Sequence, residues 1–362
     1  MKLIDYGWSS FFKKQLRQID IQNGVVARIF NAQKSQYLIV GEAGEIKAKV
    51  CGAFIHRAQM RNDYPVVGDW VVYTKNPEDD VAMIQSILSR RNHISRSALG
   101  GNSEEFQGVV EEQVIAANID TVFIVTGMDR DFNLRRIERY LALVYSSGAI
   151  PVIILNKRDL CEDPESYLQE VESIAVGVAI HMVSALNTED IMLLQGYFYE
   201  GQTVTLLGSS GVGKSTLTNA LLGVERQKVQ SVSMSVGKGV HTTTTRELIL
   251  VPGGGMLIDT PGMRELQLYD AASGIETTFE DIETLASQCR FTDCRHENEP
   301  GCKVMEGLKD GTIDENRFQN FLKLQKELHY FSERESKSSR TIEKEKWREI
   351  KINYRKTQNM KR

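Results

Sequence analysis

The chain has 362 residues, enough for two or three domains each with its own core. Apolar residues make up 41% and charged residues 25%, as in ordinary soluble globular proteins, and no apolar run is long enough to span a bilayer. The net charge of −4 conceals an asymmetry: Phe321 to Arg362 hold 13 Lys or Arg against 6 Asp or Glu, a local +7 that leaves −11 for the rest. A basic tail on an acidic body suits an anionic partner such as RNA, while the interleaved glutamates of "IEKEKWREI" equally suit a solvated helix of mixed charge. The start, "MKLIDYGWSSFFKKQ", has no apolar core followed by a small-residue cleavage site, so a cytoplasmic protein is expected.

Residues 1–92 read as short strands split by turns: "NGVVARIF", "QYLIVG", "GEIKAKVCG", "GDWVVYT" and "VAMIQSIL". Five such strands suit a small closed β-barrel such as an OB-fold, a frequent nucleic-acid scaffold, or else a small sheet with only a packing role. Residues 93–110 are polar, rich in Gly and Ser, and read as a linker. From 111 to 270 strands alternate with helices ("TVFIVTG", "NLRRIERYLALVYSSG", "IPVIILNK", "ESYLQEVESIA", "VAIHMVSA", "TVTLLG", "GGMLIDTPG"), which predicts a parallel α/β sheet covered on both faces. From 271 to 362 the chain turns helical and passes through a cysteine cluster into the basic tail.

"GSSGVGKST" fits G-x-x-x-x-G-K-[ST] and stands between a buried strand and an apolar-periodic helix, the setting the motif needs. Gly208, Gly211 and Gly213 let the backbone curl so that N–H groups face phosphates, with Ser209, Ser210 and Val212 between them. The helix N-terminus adds partial positive charge. Lys214 can reach the β- and γ-phosphates, the Ser215 hydroxyl can hold Mg²⁺, and Thr216 follows at the helix start. Downstream, "LIDTPG" puts Asp259 at a strand end, where it can hold Mg²⁺ through water, and Gly262 can offer its N–H to the γ-phosphate. Between the two lies "HTTTTREL", from which Thr243 or Thr244 can close over the metal.

"NKRD", Asn156, Lys157, Arg158 and Asp159, ends a buried strand. Asp159 can accept from guanine N1 and N2, Asn156 can reach the other edge of the base, and the Lys157 stem can pack over the ring. After the next strand, a backbone N–H near Ser184 and Ala185 can reach guanine O6. This pattern selects guanine over adenine. The base reader precedes the phosphate loop, the reverse of the order in ordinary small GTPases. A parallel sheet can be cut at one loop and rejoined at another without altering its packing. The reversal therefore leaves the nucleotide chemistry alone and runs the strand of Asp259 directly into the C-terminal domain.

After "DTPG" many GTPases carry a glutamine that orients water; here Met263 stands there, and His241 beside the threonine run is the local candidate for that role, together with Lys214 in the transition state. Cys289, Cys294, His296 and Cys302 form C-x(4)-C-x-H-x(5)-C, a donor set for one closed, structural Zn²⁺ site. Cys51 and Cys161 stand alone and read as buried small residues.

The order "NKRD", "SAL", "GSSGVGKST", "HTTT", "DTPG" and then Cys/Cys/His/Cys resembles the RsgA/YjeQ (YloQ) circularly permuted GTPases over nearly the whole chain, as do "PVVGDWV" and "FNLRRIERYL". The resemblance implies a multidomain α/β protein: an N-terminal OB-fold barrel, a circularly permuted P-loop GTPase domain and a small helical zinc-binding C-terminal domain. It implies a Mg²⁺-dependent GTP hydrolase that binds the small ribosomal subunit and its rRNA late in maturation and is stimulated by that subunit. It also matches His241 to a histidine tied to hydrolysis in the family. The partners expected are GTP or GDP and the small subunit, with no membrane, for a protein acting as a monomer. The alternative reading is an RNA-binding assembly scaffold in which GTP is only a structural or switching ligand; a phosphotransferase acting on a small molecule lacks a second substrate pocket in the sequence.

Overall fold

A computed structural model describes residues 2–99, 110–223, 246–259 and 271–333, apart from 20, 22, 34, 35 and 59. The N-terminal strands are β1 (Val25–Gln33), β2 (Gln36–Gly41), β3 (Gly44–Val50), β4 (Trp70–Thr74) and β5 (Val81–Ile87). They run β1-β2-β3-β5-β4, and β4 returns to β1, closing a five-stranded barrel in which only the β3–β5 pair is parallel. Closure works at this size because the interior mixes small and large side chains: Ala27, Ala48 and Ala82 sit beside Ile29, Ile39, Val71 and Ile84, all essentially inaccessible.

Two short helices, absent from the sequence reading, flank the barrel. The first, α1 (Ser10–Leu16), brings Phe12 to within 5.8 Å of the Trp70 ring, and Trp8 just ahead of it lies 4.8 Å from Trp70. The second, α2 (Gly52–Arg57), is capped by Cys51, whose sulfur accepts from Phe54 N–H at 3.4 Å; Cys51 and Cys161, expected as buried, are both half-buried.

The stretch expected as a linker begins with a strand. Here β6 (His93–Leu99) pairs antiparallel with β7 (Val110–Ala117), and Val67 bridges Ala116, tying this ribbon to the barrel. The Ser and Arg of β6 hid the pairing, because polar side chains are tolerated on one face of a strand whose other face is covered, here at Ile94.

The central sheet contains β8 (Thr121–Gly127), β9 (Ile150–Asn156), β10 (Ala179–Met182), β11 (Thr203–Leu207), β12 (Glu247–Leu250) and β13 (Met256–Asp259) in the order β10-β9-β8-β11-β13-β12. The first five positions are parallel; β12 is antiparallel to β13. The strands β8 and β11 are buried along their whole length, as continuous Val/Ile/Leu runs in a doubly covered sheet must be. The covering helices are α3 (Leu134–Ser147), α4 (Pro164–Glu172), α5 (Thr188–Gln195) and α6 (Lys214–Leu222). β12 also pairs with β1 at Asn31↔Glu247, so barrel and sheet form one hydrogen-bonded surface.

Arg28 fastens the same junction. Its guanidinium, 1% exposed, donates to the carbonyls of Tyr6 (2.7 Å), Gly68 (3.1 Å) and Asn118 (2.9 Å) and approaches Met256 sulfur at 3.4 Å. Burial among neutral acceptors lowers its pKa to about 10.

The C-terminal part consists of α7 (Ala272–Thr278), α8 (Glu280–Ala286), α9 (Lys303–Asp310) and a helix over residues 315–333, α10. It packs on α3, and the contact needs Gly274: a Cβ there would stand 1.9 Å from the Ala142 carbonyl oxygen. Among the described residues no helix is long and apolar enough to cross a membrane.

Candidate nucleotide site and metal centre

Parallel strands place their following loops at one edge, and β8, β9 and β11 are neighbours. The phosphate loop after β11 is therefore beside the "NKRD" loop after β9 and the loop after β8. Gly208 and Gly213 adopt φ of 152° and 98°, and side chains there would collide with the Val125 carbonyl and the Asn156 amide, each at 2.2 Å. Lys214 Nζ donates to the carbonyls of Gly208 (2.8 Å) and Ser209 (2.5 Å), so its cation already lies over the curled loop. Ser215 and Thr216 follow on the first turn of α6, half-buried, while Ser210 and Gly211 are exposed. Asp259, half-buried, ends β13 on the strand paired with β11.

Asn156 stands between two loops. It is 2% exposed, its Nδ2 donates to Val212 O at 2.8 Å, and its Oδ1 accepts from Ala185 N–H at 3.1 Å. The residue expected to reach an edge of guanine thus ties the phosphate loop to the Ser184–Ala185 loop. The N–H groups expected to meet guanine O6 are engaged too: Ser184 N–H donates to Asp190 Oδ2 at 2.7 Å, and Ala185 to Asn156. Arg158 braces Asp190 from the other side at 3.2 Å. Asp159 is exposed in the 3₁₀ turn Arg158–Leu160, free of the burial that would keep a base away.

A third loop completes this edge. Lys157, with φ of 68°, ion-pairs with Asp129 at 2.6 Å, and Asp131 N–H donates to the same Asp129 carboxylate at 2.9 Å. Asp131 in turn accepts from Arg136 (2.6 Å) and from the Ser209 hydroxyl (2.5 Å). Burial works to raise the Asp131 carboxyl, but those hydrogen bonds outweigh it and hold the group below the ordinary aspartate range. Sequence reasoning missed Asp129, Asp131 and Arg136; the available signal was "MDRDFN" between a buried strand and a helix.

At the other end of the chain, Cys289, Cys294, His296 and Cys302 bring their ligand atoms within 4.8 Å of one another. Cys289 and Cys302 sulfurs are 3.9 Å apart, and His296 Nδ1 lies 3.7 and 3.4 Å from them. Ligands about 2.0–2.3 Å from one tetrahedral zinc ion would stand about 3.5–3.8 Å apart, so donor set and spacing fit zinc. Glu299 shapes the loop between the ligands by accepting from Arg295, Glu297 and Asn298 N–H groups, which hold its pKa at about 2. Cys302 caps α9, its sulfur receiving Met305 N–H at 3.4 Å.

A family model described as RsgA GTPase matches residues 87–269. The chain belongs to the RsgA GTPase family. Over 359 residues it is 42% identical to the Small ribosomal subunit biogenesis GTPase RsgA of Opitutus terrae, covering 97% of this chain and 96% of that protein. Among solved structures it is similar to YjeQ from Thermotoga maritima, with 28% identity, a TM-score of 0.61 and coverage of 84% of this chain and 98% of that one. YloQ, described as a circularly permuted GTPase, shares the fold at 23% identity and a TM-score of 0.59, over 84% and 95% of the two chains.

As an RsgA GTPase the chain is a GTP hydrolase, and its motif order is that of the permuted fold. His241, Thr243, Thr244, Gly262 and Met263 lie outside the described residues. The residues before and after those segments are in place: Arg246 leads into β12, and β13 delivers Asp259.

Proposed function

We propose that this chain is a GTPase of small ribosomal subunit biogenesis, stimulated by that subunit and acting as a late maturation checkpoint. The convergence of the phosphate loop, "NKRD" and the Ser184–Ala185 loop on one sheet edge carries the reading, and relatives named as small ribosomal subunit biogenesis GTPases over almost the full chain support the biogenesis role. Asp159 takes the guanine N1 and N2 donors, and Ala185 turns its N–H, now on a 3.1 Å bond, toward O6. Lys214 leaves the Gly208 and Ser209 carbonyls for the β- and γ-phosphate oxygens. Gly262 N–H meets the γ-phosphate.

Ser215, Asp259 and Thr243 or Thr244 would hold Mg²⁺, which supplies charge neutralisation to the phosphates. His241 orients the attacking water in place of a glutamine, and Met263 leaves unaided hydrolysis slow. Cys289, Cys294, His296 and Cys302 would hold one zinc ion, which supplies structure and no open coordination position. The protein acts in the cytoplasm as a monomer and engages rRNA through the barrel and the basic tail.

GTP turnover of the purified protein, with and without small ribosomal subunits at fixed Mg²⁺ and salt, tests this. The expected result is weak turnover alone and strong stimulation that disappears in Lys214→Ala. Equal turnover in both conditions would remove the subunit as activator. Subunit binding that is unchanged in a His241→Ala variant would favour an RNA-binding scaffold over a checkpoint.

A further inference from the structure

The helix that follows β8 reaches in two directions. On one side of its first turn Arg136 donates to the Ser209 hydroxyl at 2.7 Å and to Asp131 at 2.6 Å. Ser209 is the residue whose carbonyl holds Lys214. On the other side, α3 is bonded to the C-terminal helices. Glu138 is fully buried, and its Oε1 accepts from Arg135 (2.8 Å) and Arg317 (2.7 Å) while Oε2 accepts from Asn320 (2.6 Å). Arg317 is fixed further by Asp281 (2.9 and 2.8 Å) and by the Thr278 carbonyl (2.7 Å). One residue beyond Glu138, Arg139 pairs through two bonds with Glu327 of α10 (2.8 and 2.5 Å).

We propose that Arg136 is a positioning residue for the phosphate loop, and that the C-terminal domain sets where Arg136 stands through the Glu138 and Arg139 contacts on the same helix. A buried, fully hydrogen-bonded ion network contributes little net stability but tolerates few geometries, so it fixes orientation. Four consecutive helical residues cannot turn independently, because each is locked in the i→i−4 ladder. A rotation of α3 that suits Arg317 therefore moves the Arg136 guanidinium relative to Ser209. This linkage lies entirely within described residues and is separate from the chain connection between β13 and α7. It couples the sites in both directions: whatever grips the C-terminal helices changes nucleotide affinity by the factor with which nucleotide changes that grip. The proposal rests on the nucleotide-site assignment and not on the ribosome as partner.

The test uses the full-length, zinc-loaded protein and a fluorescent methylanthraniloyl derivative of GDP, which reports binding without hydrolysis or ribosomes. Arg136→Ala and Ser209→Ala are each expected to weaken binding about tenfold, the scale of a hydrogen bond to a charged group. Their double variant should lose less than the sum of the two single losses, since the residues share one bond and both meet Asp131. Ser209→Thr, which keeps the hydroxyl, should restore affinity. Arg139→Glu and Glu327→Arg, both remote from the phosphates, should each weaken binding severalfold and recover together, with zinc content unchanged throughout. Wild-type affinity in both Arg136→Ala and Ser209→Ala would overturn the positioning role. Wild-type affinity in both single charge reversals, or no recovery in the pair, would overturn the link to the C-terminal domain. A failure of ribosomal stimulation would touch neither result.

Discussion

The nucleotide-binding sheet and the cysteine-bearing loop hold their functional groups by opposite means. The strands β8, β9 and β11 are buried almost throughout, and each site loop is the short extension of a strand already fixed by its neighbours. Between residues 287 and 301, by contrast, only Cys289, Cys294, His296 and Glu299 are half-buried, three of them the candidate metal ligands and the fourth the acceptor that shapes the loop. A core on both faces therefore positions the first site, whereas the second rests on the core at Cys289, Cys294 and Cys302 alone and depends on its ligands for the rest. Ligand chemistry can be altered in the sheet without loss of fold, whereas in the loop the two are one property.

The largest effect expected from this contrast follows loss of a metal ligand. Cys302→Ser should abolish stoichiometric zinc, and with a binding free energy on the order of 10 kcal/mol gone, residues 287–310 should lose their hydrogen-exchange protection while β8 and β11 keep theirs. Retained protection in the loop would mean that its backbone bonds suffice and would break the comparison. On the sheet side, Asp159→Asn is expected to lower GTP affinity on the order of a thousandfold and to favour xanthine nucleotides, whose 2-oxo group needs a donor where guanine offers one. Because Asp159 is exposed, the melting temperature should not move. A large drop in stability would show that fold and chemistry are not separable there either.

The interface between the two regions is sharpened by Gly274→Val. With the first added carbon 1.9 Å from the Ala142 carbonyl, α7 must leave α3, at a cost of about 3 kcal/mol in chemical denaturation. An undiminished midpoint would mean that the C-terminal helices do not depend on that contact. The smallest effect concerns pH at the far edge of the sheet. His181 on β10 bonds Tyr197 OH at 2.7 Å, and burial holds its imidazole below the usual 6.5. A lowered folded value means that its contribution is full above pH 6.5 and declines as pH falls from there through the folded pKa. Melting temperature should thus fall modestly on acidification, and His181→Gln should flatten that limb; an unchanged slope would assign it to other groups.

Local pattern alone made much of this molecule legible. The barrel strands, the α/β alternation and the two groups of candidate site residues are readable because each is a short-range signal: period-two alternation, a glycine-spaced loop before a helix, or four potential metal donors within fourteen residues. Other features are not, among them the two flanking helices and the Asp129–Asp131 loop. The polarity of the ribbon strand β6 suits a linker or a strand alike until its partner β7 is known. The antiparallel β12 is four residues long and gains its place from β13 on one side and β1 on the other. Asn156 carries the residue type and position of a base reader, and only the neighbouring loops show that its amide is already engaged.

The sequence by itself determined which residue types are available for phosphate, guanine and zinc, and in what order they come along the chain. The tertiary structure decided which of them touch. Arg136 reaches Ser209 across 73 positions and Arg317 reaches Glu138 across 179, through a helix whose faces are assigned only when β8 lies beside β11 and Gly274 lets α7 approach. Such contacts depend on register and on the closeness of backbones distant in sequence, and no local periodicity encodes either.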